Sequence, residues 1–118
     1  KFRGEILQVP PQFSAVKVRG KKAYKEARAG RIVPLEARKI VVYELSAVWY
    51  SYPILTLDAA VGSGTYIRSF ARDIGEALGT GAVLSALRRE AVGEYQLRDA
   101  VEFTLLSSQN WKHALRTL

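Results

Sequence analysis

Apolar and polar positions alternate from Phe2 to Val9, a strand pattern, and Pro10-Pro11 closes it because proline cannot donate to a ladder. Phe13 to Arg19 alternates more weakly, and Gly20-Lys21 can turn it into a hairpin. Lys22 to Ala29 reads as a short helix with Gly30 as its stop. Ile40 to Tyr50 is rich in Val, Ile, Tyr and Trp and predicts a long strand, which Ser51 to Pro53 turns into a return strand, Ile54 to Val61. The clearest helical period runs from Thr65 to Leu78. Ile67, Phe70, Ala71, Ile74 and Leu78 fall on one face, and Arg68, Arg72 and Gly75 line another. A glycine inside a helix costs about 1 kcal/mol, so Gly75 predicts a close packing partner. Gly79-Thr80-Gly81 ends this helix. Ala82 to Leu87 has no clear period, Arg88 to Leu97 reads as a further strand, and Leu105 to Leu118 as a terminal helix. Hairpin-linked strands outnumber helices. The expected class is therefore α+β, a mainly antiparallel mixed sheet with flanking helices, and not a doubly wound fold.

Composition narrows the setting. The 118 residues are 48% hydrophobic and 25% charged, enough to build one domain with a core. No apolar run approaches the roughly 20 residues that span a bilayer, and the first residues carry no signal-peptide core. With no cysteine and one histidine, neither a disulfide framework nor a zinc site is expected, and the cytoplasm fits. Methionine is also absent, and Lys1 opens directly into a strand pattern. The expectation is a fragment, with further sequence before Lys1.

The net charge of +7 is concentrated in one place. Lys17 to Lys39 holds nine cations (Lys17, Arg19, Lys21, Lys22, Lys25, Arg28, Arg31, Arg38 and Lys39) against Glu26 and Glu36, and the rest of the chain balances. Such a block, interleaved with Tyr24 and two glycines, suits a polyphosphate backbone. A solvated hairpin and helix would read the same way. A membrane surface fits less well, because the segment lacks a large apolar face.

Candidate chemistry centres on Gly62 to Ser69, Gly-Ser-Gly-Thr-Tyr-Ile-Arg-Ser. Two glycines and a threonine make a tight strand-to-helix turn, and Tyr66 and Arg68 follow at once. A helix N-terminus favours anions, so a cation in the first turn predicts a carboxylate or phosphate opposite it. The glycines do not make a P-loop, which needs a following lysine, or a dinucleotide fingerprint, whose third glycine is Ile67 here. Arg88-Arg89 reads either as an exposed basic pair or as a phosphate clamp. His113 reads as a surface or partly packed residue. Asp58, Asp73 and Asp99 are isolated, so no nucleophile-and-base set is apparent. Phe13, Tyr24, Tyr43, Trp49, Tyr50 and Tyr66 are aromatics that can stack bases, although core packing is the simpler role for strand residues such as Tyr43 and Trp49.

Several blocks occur together in order: Val-Pro-Pro-Gln-Phe-Ser-Ala-Val-Lys at 9–17, Gly-Lys-Lys-Ala-Tyr-Lys-Glu-Ala-Arg at 20–28, Leu-Glu-Ala-Arg-Lys-Ile-Val-Val-Tyr at 35–43, the Gly62 to Ser69 motif, Gly-Thr-Gly-Ala at 79–82 and Leu-Arg-Arg at 87–89. In these the chain resembles the TruB family of bacterial tRNA pseudouridine synthases, from Phe2 to about Phe103. Guide-RNA-dependent relatives share the Gly-Thr-Tyr-Ile-Arg block but lack the long basic insert, so the stand-alone bacterial type fits better. The resemblance implies an isomerase that converts uridine 55 in the T-arm of tRNA to pseudouridine, with no metal and no organic cofactor. It flips the base into a pocket, where an aspartate attacks, the glycosidic bond breaks and the base rejoins through carbon 5.

By the same resemblance Tyr66 stacks on the flipped base and is a candidate for handling the carbon-5 proton. Arg68 pairs with the catalytic aspartate, and Leu87 walls the pocket. The segment at about 12–38 is a thumb that grips the T-loop. Lys17, Lys21, Lys22, Tyr24, Arg28 and Arg38 are its candidate RNA contacts, with Arg88 and Arg89 elsewhere. The family's aspartate motif, G-x-x-D-x-x-A-x-G, does not occur in these residues. The expectation is one partial catalytic domain that lacks the N-terminal half and is inactive alone, with any PUA-type domain absent or beyond Leu118. A non-catalytic RNA-binding module is the alternative.

Overall fold

The computed structural model describes residues 1–14, 17–18, 20–31 and 34–115, with only the backbone of Val18. Arg19 and the last three residues of the expected terminal helix lie outside the described residues. The chain forms two compact units, Lys1–Ser85 and Ala86–Leu118. Among the described residues no helix is long and apolar enough to cross a membrane.

The first unit is built on a three-stranded antiparallel sheet. Strand β1 (Gly4–Gln8) pairs along one edge of β4 (Arg38–Ser51), and β5 (Ile54–Val61) along the other. The register sets Gln8 opposite Arg38 and Gly4 opposite Val42. Strand β4 returns into β5 through Tyr52 and a cis Pro53. Between β1 and β4 lies the basic segment. It contains a small antiparallel pair, β2 (Lys17–Val18) and β3 (Lys21–Lys22), and a six-residue helix α1 (Ala23–Arg28).

Helix α2 (Ile67–Ala77) packs on the sheet, where Phe70 joins Ile40 and Val42 in the core with Phe2, Ile6, Leu45, Val61 and Ile74 around them. Phe2 meets Phe70 edge-on, with ring centroids 5.7 Å apart. Burying a side chain of that size stabilises the fold by about 1.5–3 kcal/mol. The apolar face read from the sequence is thus the packing face, except that Leu78 at its end is exposed. Irregularities in the β4–β5 ladder fall between Val42 and Glu44 and between Ala47 and Trp49. Past Leu45 the ribbon leaves the core, so Val48, Trp49 and Tyr50 are exposed and not packed inside.

Both helices end as their glycines predict. Gly30 (φ 76°) and Gly79 (φ 73°) take the left-handed conformation that closes a helix with paired backbone bonds. After α1, Gly30 donates to Ala27 and Arg31 to Glu26. After α2, Gly79 donates to Glu76 and Thr80 to Gly75. Gly75 has the close partner expected of it: a Cβ there would collide with the backbone of Gly81 and Ala82 as the chain folds back.

The second unit departs from the sequence reading. The expected strand Arg88 to Leu97 is only a two-residue pair, β6 (Ala91–Val92) with β7 (Tyr95–Gln96). Gly93, at φ 57°, turns the chain between them. The expected terminal helix is broken into short 3-10 turns at Phe103–Leu105 and Trp111–Ala114. Asn110 explains the break. Its side-chain oxygen accepts from the Ser107 N–H at 2.7 Å and its amide donates to the Leu105 carbonyl at 3.1 Å, capturing backbone groups a helix would use.

Candidate functional site

The turn from β5 into α2 is fastened from within. The Thr65 hydroxyl donates to the Gly62 carbonyl at 2.9 Å, and the Gly62 N–H donates to Val41 at 2.8 Å. Gly64, at φ 79°, supplies the left-handed step. Tyr66 then caps α2 with an extended backbone, and its side chain caps nothing.

The cap is supplied by a residue that sequence reading missed. Gln8, at the end of β1, is 2% exposed. Its Oε1 accepts from the Tyr66 N–H at 2.8 Å, and its Nε2 donates to the Tyr66 carbonyl at 3.0 Å. A buried amide left unbonded would cost about 1–3 kcal/mol, and here both ends are satisfied by one residue. The available signal was phase. Phe2, Ile6 and Gln8 share one face of the strand, so a polar residue stood at an inward position.

Two arginines of α2 reach back to the segment after β1. Arg68 is exposed and donates through Nη2 to the Phe13 carbonyl, and Arg72 donates to the Val9 carbonyl at 3.0 Å. The cation in the first turn therefore meets a carbonyl dipole within these residues. Among the described residues no carboxylate pairs with it. Asp73, read from sequence as isolated, is paired with Arg72 at 2.8 Å. The next carbonyl, Ser14, accepts from the Tyr24 N–H at 2.9 Å. Residues 13 and 14 thus tie Arg68 to α1. Phe13 is half-exposed and lines a hollow of about 270 Å³ with Gln12, Ala27, Gly30 and Arg31.

On the basic segment, Lys17, Lys21, Arg28 and Arg38 are exposed, and Lys22 and Tyr24 are half-buried. The Lys22 ammonium and the Arg28 guanidinium lie 5.8 and 5.5 Å from the centre of the Tyr24 ring. Tyr24 therefore gathers two cations, a use of its π-face that base stacking would have to displace. Arg31 is engaged differently, in a two-pronged pair with Glu26 at 2.5 and 3.2 Å. That hydrogen bond holds the Glu26 carboxyl below its ordinary range and raises the Arg31 guanidinium. Leu87, Arg88 and Arg89 belong to the second unit and are exposed. Arg88 lies 3.4 Å from Glu90, and Arg89 lines a small hollow with Tyr95 and Leu97.

Residues 1–67 match the family model described as TruB family pseudouridylate synthase (N terminal domain), and residues 68–118 match the tRNA pseudouridylate synthase B C-terminal domain. A tRNA pseudouridine synthase B of Mannheimia succiniciproducens is 52% identical over 94 residues, covering 80% of this chain and 31% of the relative. The protein of that name from Actinobacillus pleuropneumoniae is 43% identical over 118 residues, all of this chain and 39% of the relative. The chain thus spans about a third of the length of the curated relatives it matches. A solved structure, a Cbf5-Nop10-Gar1 complex, contains a chain 32% identical to this one at a TM-score of 0.69, covering 94% of this chain and 30% of that one. By these matches the chain belongs to the TruB family of pseudouridylate synthases.

Proposed function

We propose that this chain is the base-facing and RNA-gripping part of a tRNA pseudouridine synthase that converts uridine 55 of the T-arm to pseudouridine. One observation carries the reading: residues 9–14 are bonded on one side to Arg68 and Arg72 of α2, the helix whose N-cap is Tyr66, and on the other to the basic segment through Tyr24. Groups suited to a base and groups suited to phosphates thus share one short support. In the proposed reaction a carboxylate from outside these 118 residues attacks C1′ as the N1–C1′ bond breaks. The base turns, and C5 displaces the carboxylate from C1′ as the C5–C1′ bond forms. The C5 proton leaves, with Tyr66 as its proposed first acceptor, and N1 takes up a proton. Arg68 orients the carboxylate, and Phe13 and Tyr66 offer faces to the flipped base. Lys17, Lys21, Lys22, Tyr24, Arg28 and Arg38 bind the T-arm, and Arg88 and Arg89 are proposed as further phosphate contacts.

Tritium release from tRNA labelled at uridine C5 follows the C5 proton directly. The full-length protein should release label, the 118-residue chain alone should not, and Arg68→Ala in the full-length protein should slow release by at least about tenfold, about 1.4 kcal/mol. Turnover by the short chain would sink the division of labour. A normal rate for Arg68→Ala with weakened RNA binding would favour a binding module.

A further inference from the structure

We propose that Gln8 is a positioning residue for Tyr66, its carboxamide setting the angle at which the start of α2 presents the Tyr66 ring. This rests on the reading that Tyr66 and Arg68 face the target uridine. A glutamine is an expensive choice for a position 2% exposed, unless both halves of its amide are bonded. Here both halves go to a single residue. The Tyr66 N–H donates to Oε1 at 2.8 Å, and the Tyr66 carbonyl accepts from Nε2 at 3.0 Å. The side chain therefore does what a neighbouring strand would do, fixing the backbone on both sides of one Cα.

The residue so held is the one whose conformation decides the entry to the helix. Tyr66 is extended (φ −98°, ψ 112°), while its carbonyl already accepts the first helical bond from Phe70 at 3.0 Å. With the backbone pinned, the Cα–Cβ direction of Tyr66 is set by β1, an element of the sheet core, and not by the glycine-rich turn that precedes it. Arg72 to Val9 and Arg68 to Phe13 extend the same seam in the opposite direction. Substitutions at this position separate the chemistry. Glutamate has the shape of glutamine, but places a second acceptor against the Tyr66 carbonyl. Methionine has a similar length and neither function.

The test uses the full-length protein with a tRNA substrate and compares Gln8→Glu, Gln8→Met, Tyr66→Ala and the Gln8→Met/Tyr66→Ala pair. Gln8→Glu and Gln8→Met should each lower kcat at least about tenfold with KM for tRNA within about threefold, because misplacement of a reacting group is felt in turnover. On the Tyr66→Ala background, Gln8→Met should cost less than about twofold more, since it acts through the ring already removed. If Tyr66→Ala is impaired while Gln8→Met turns over normally, or if the two losses multiply in full, the positioning role is overturned. If Tyr66→Ala keeps its kcat, the reading of Tyr66 itself fails. Should the Gln8 variants not fold, amide exchange in the unmodified protein decides: the Tyr66 N–H should be protected, and rapid exchange there would overturn the proposal.

Discussion

Gly75 shows how much one absent methyl group controls. The chain leaves α2 and returns across its last turn, with the Thr80 and Gly81 N–H groups both donating to the Gly75 carbonyl at 3.0 Å. A Cβ would strike backbone, which cannot move aside as a flexible side chain would. Gly75→Ala should therefore destabilise the folded protein by about 2–3 kcal/mol, despite the better helix propensity of alanine. Urea unfolding checks this, and an alanine variant of equal or greater stability would contradict it. This residue was legible in the sequence because a glycine inside a helical period violates a local rule. Gln8 was not, because a glutamine at a strand end resembles any surface residue until its phase with Phe2 and Ile6 is counted. Nor was the intrachain partner of Arg68, a carbonyl 55 positions away, since only the folded sheet brings it near.

Elements with their own punctuation were legible, and those decided by competition were not. Helix α1 was readable to within a residue because Gly30 stops it, and the same stop brings Arg31 back onto Glu26. The pair has a testable pH signature. The Arg31 hydrogen bond and charge lower the folded-state value of Glu26, with the charge of Lys21 adding to them. A depressed carboxylate contributes stability that is present above its unfolded value and lost as pH falls through the folded one. A carboxyl-carbon NMR titration should place Glu26 below an ordinary glutamate, and Arg31→Gln should move it back toward the ordinary range. An unmoved midpoint would show that the pair does not persist in solution. In the terminal segment, by contrast, local side-chain bonds won. The apolar spacing from Leu105 onward looks helical, but Ser107 and Asn110 offer the backbone other partners, and the result is a series of short turns.

At the scale of the molecule, fold class and charge distribution came through clearly, and the division into two units did not. The antiparallel hairpins follow from alternation and turn residues. The boundary at Ser85 carries no composition shift that would announce it. The charge asymmetry leads to a prediction that separates a gripping surface from a merely soluble one. The excess of +7 equals that of the Lys17 to Lys39 segment alone, and Arg31 within it is already neutralised by Glu26. Lys17, Lys21 and Arg28 are exposed, and Lys22 is held beside Arg28 at the Tyr24 ring. If these four meet phosphates, each releases counterions on binding, and together they contribute about 3 to the slope of log affinity against log salt, at roughly 0.7–0.9 per phosphate. Replacing all four by glutamine in the full-length protein should flatten the slope for tRNA by that amount. Replacing Arg98 and Lys112, from the charge-balanced remainder of the chain, should leave it nearly unchanged. Equal effects per charge removed would mean that the protein responds to net charge alone, and the basic segment would lose its claim to be the surface that holds the T-arm.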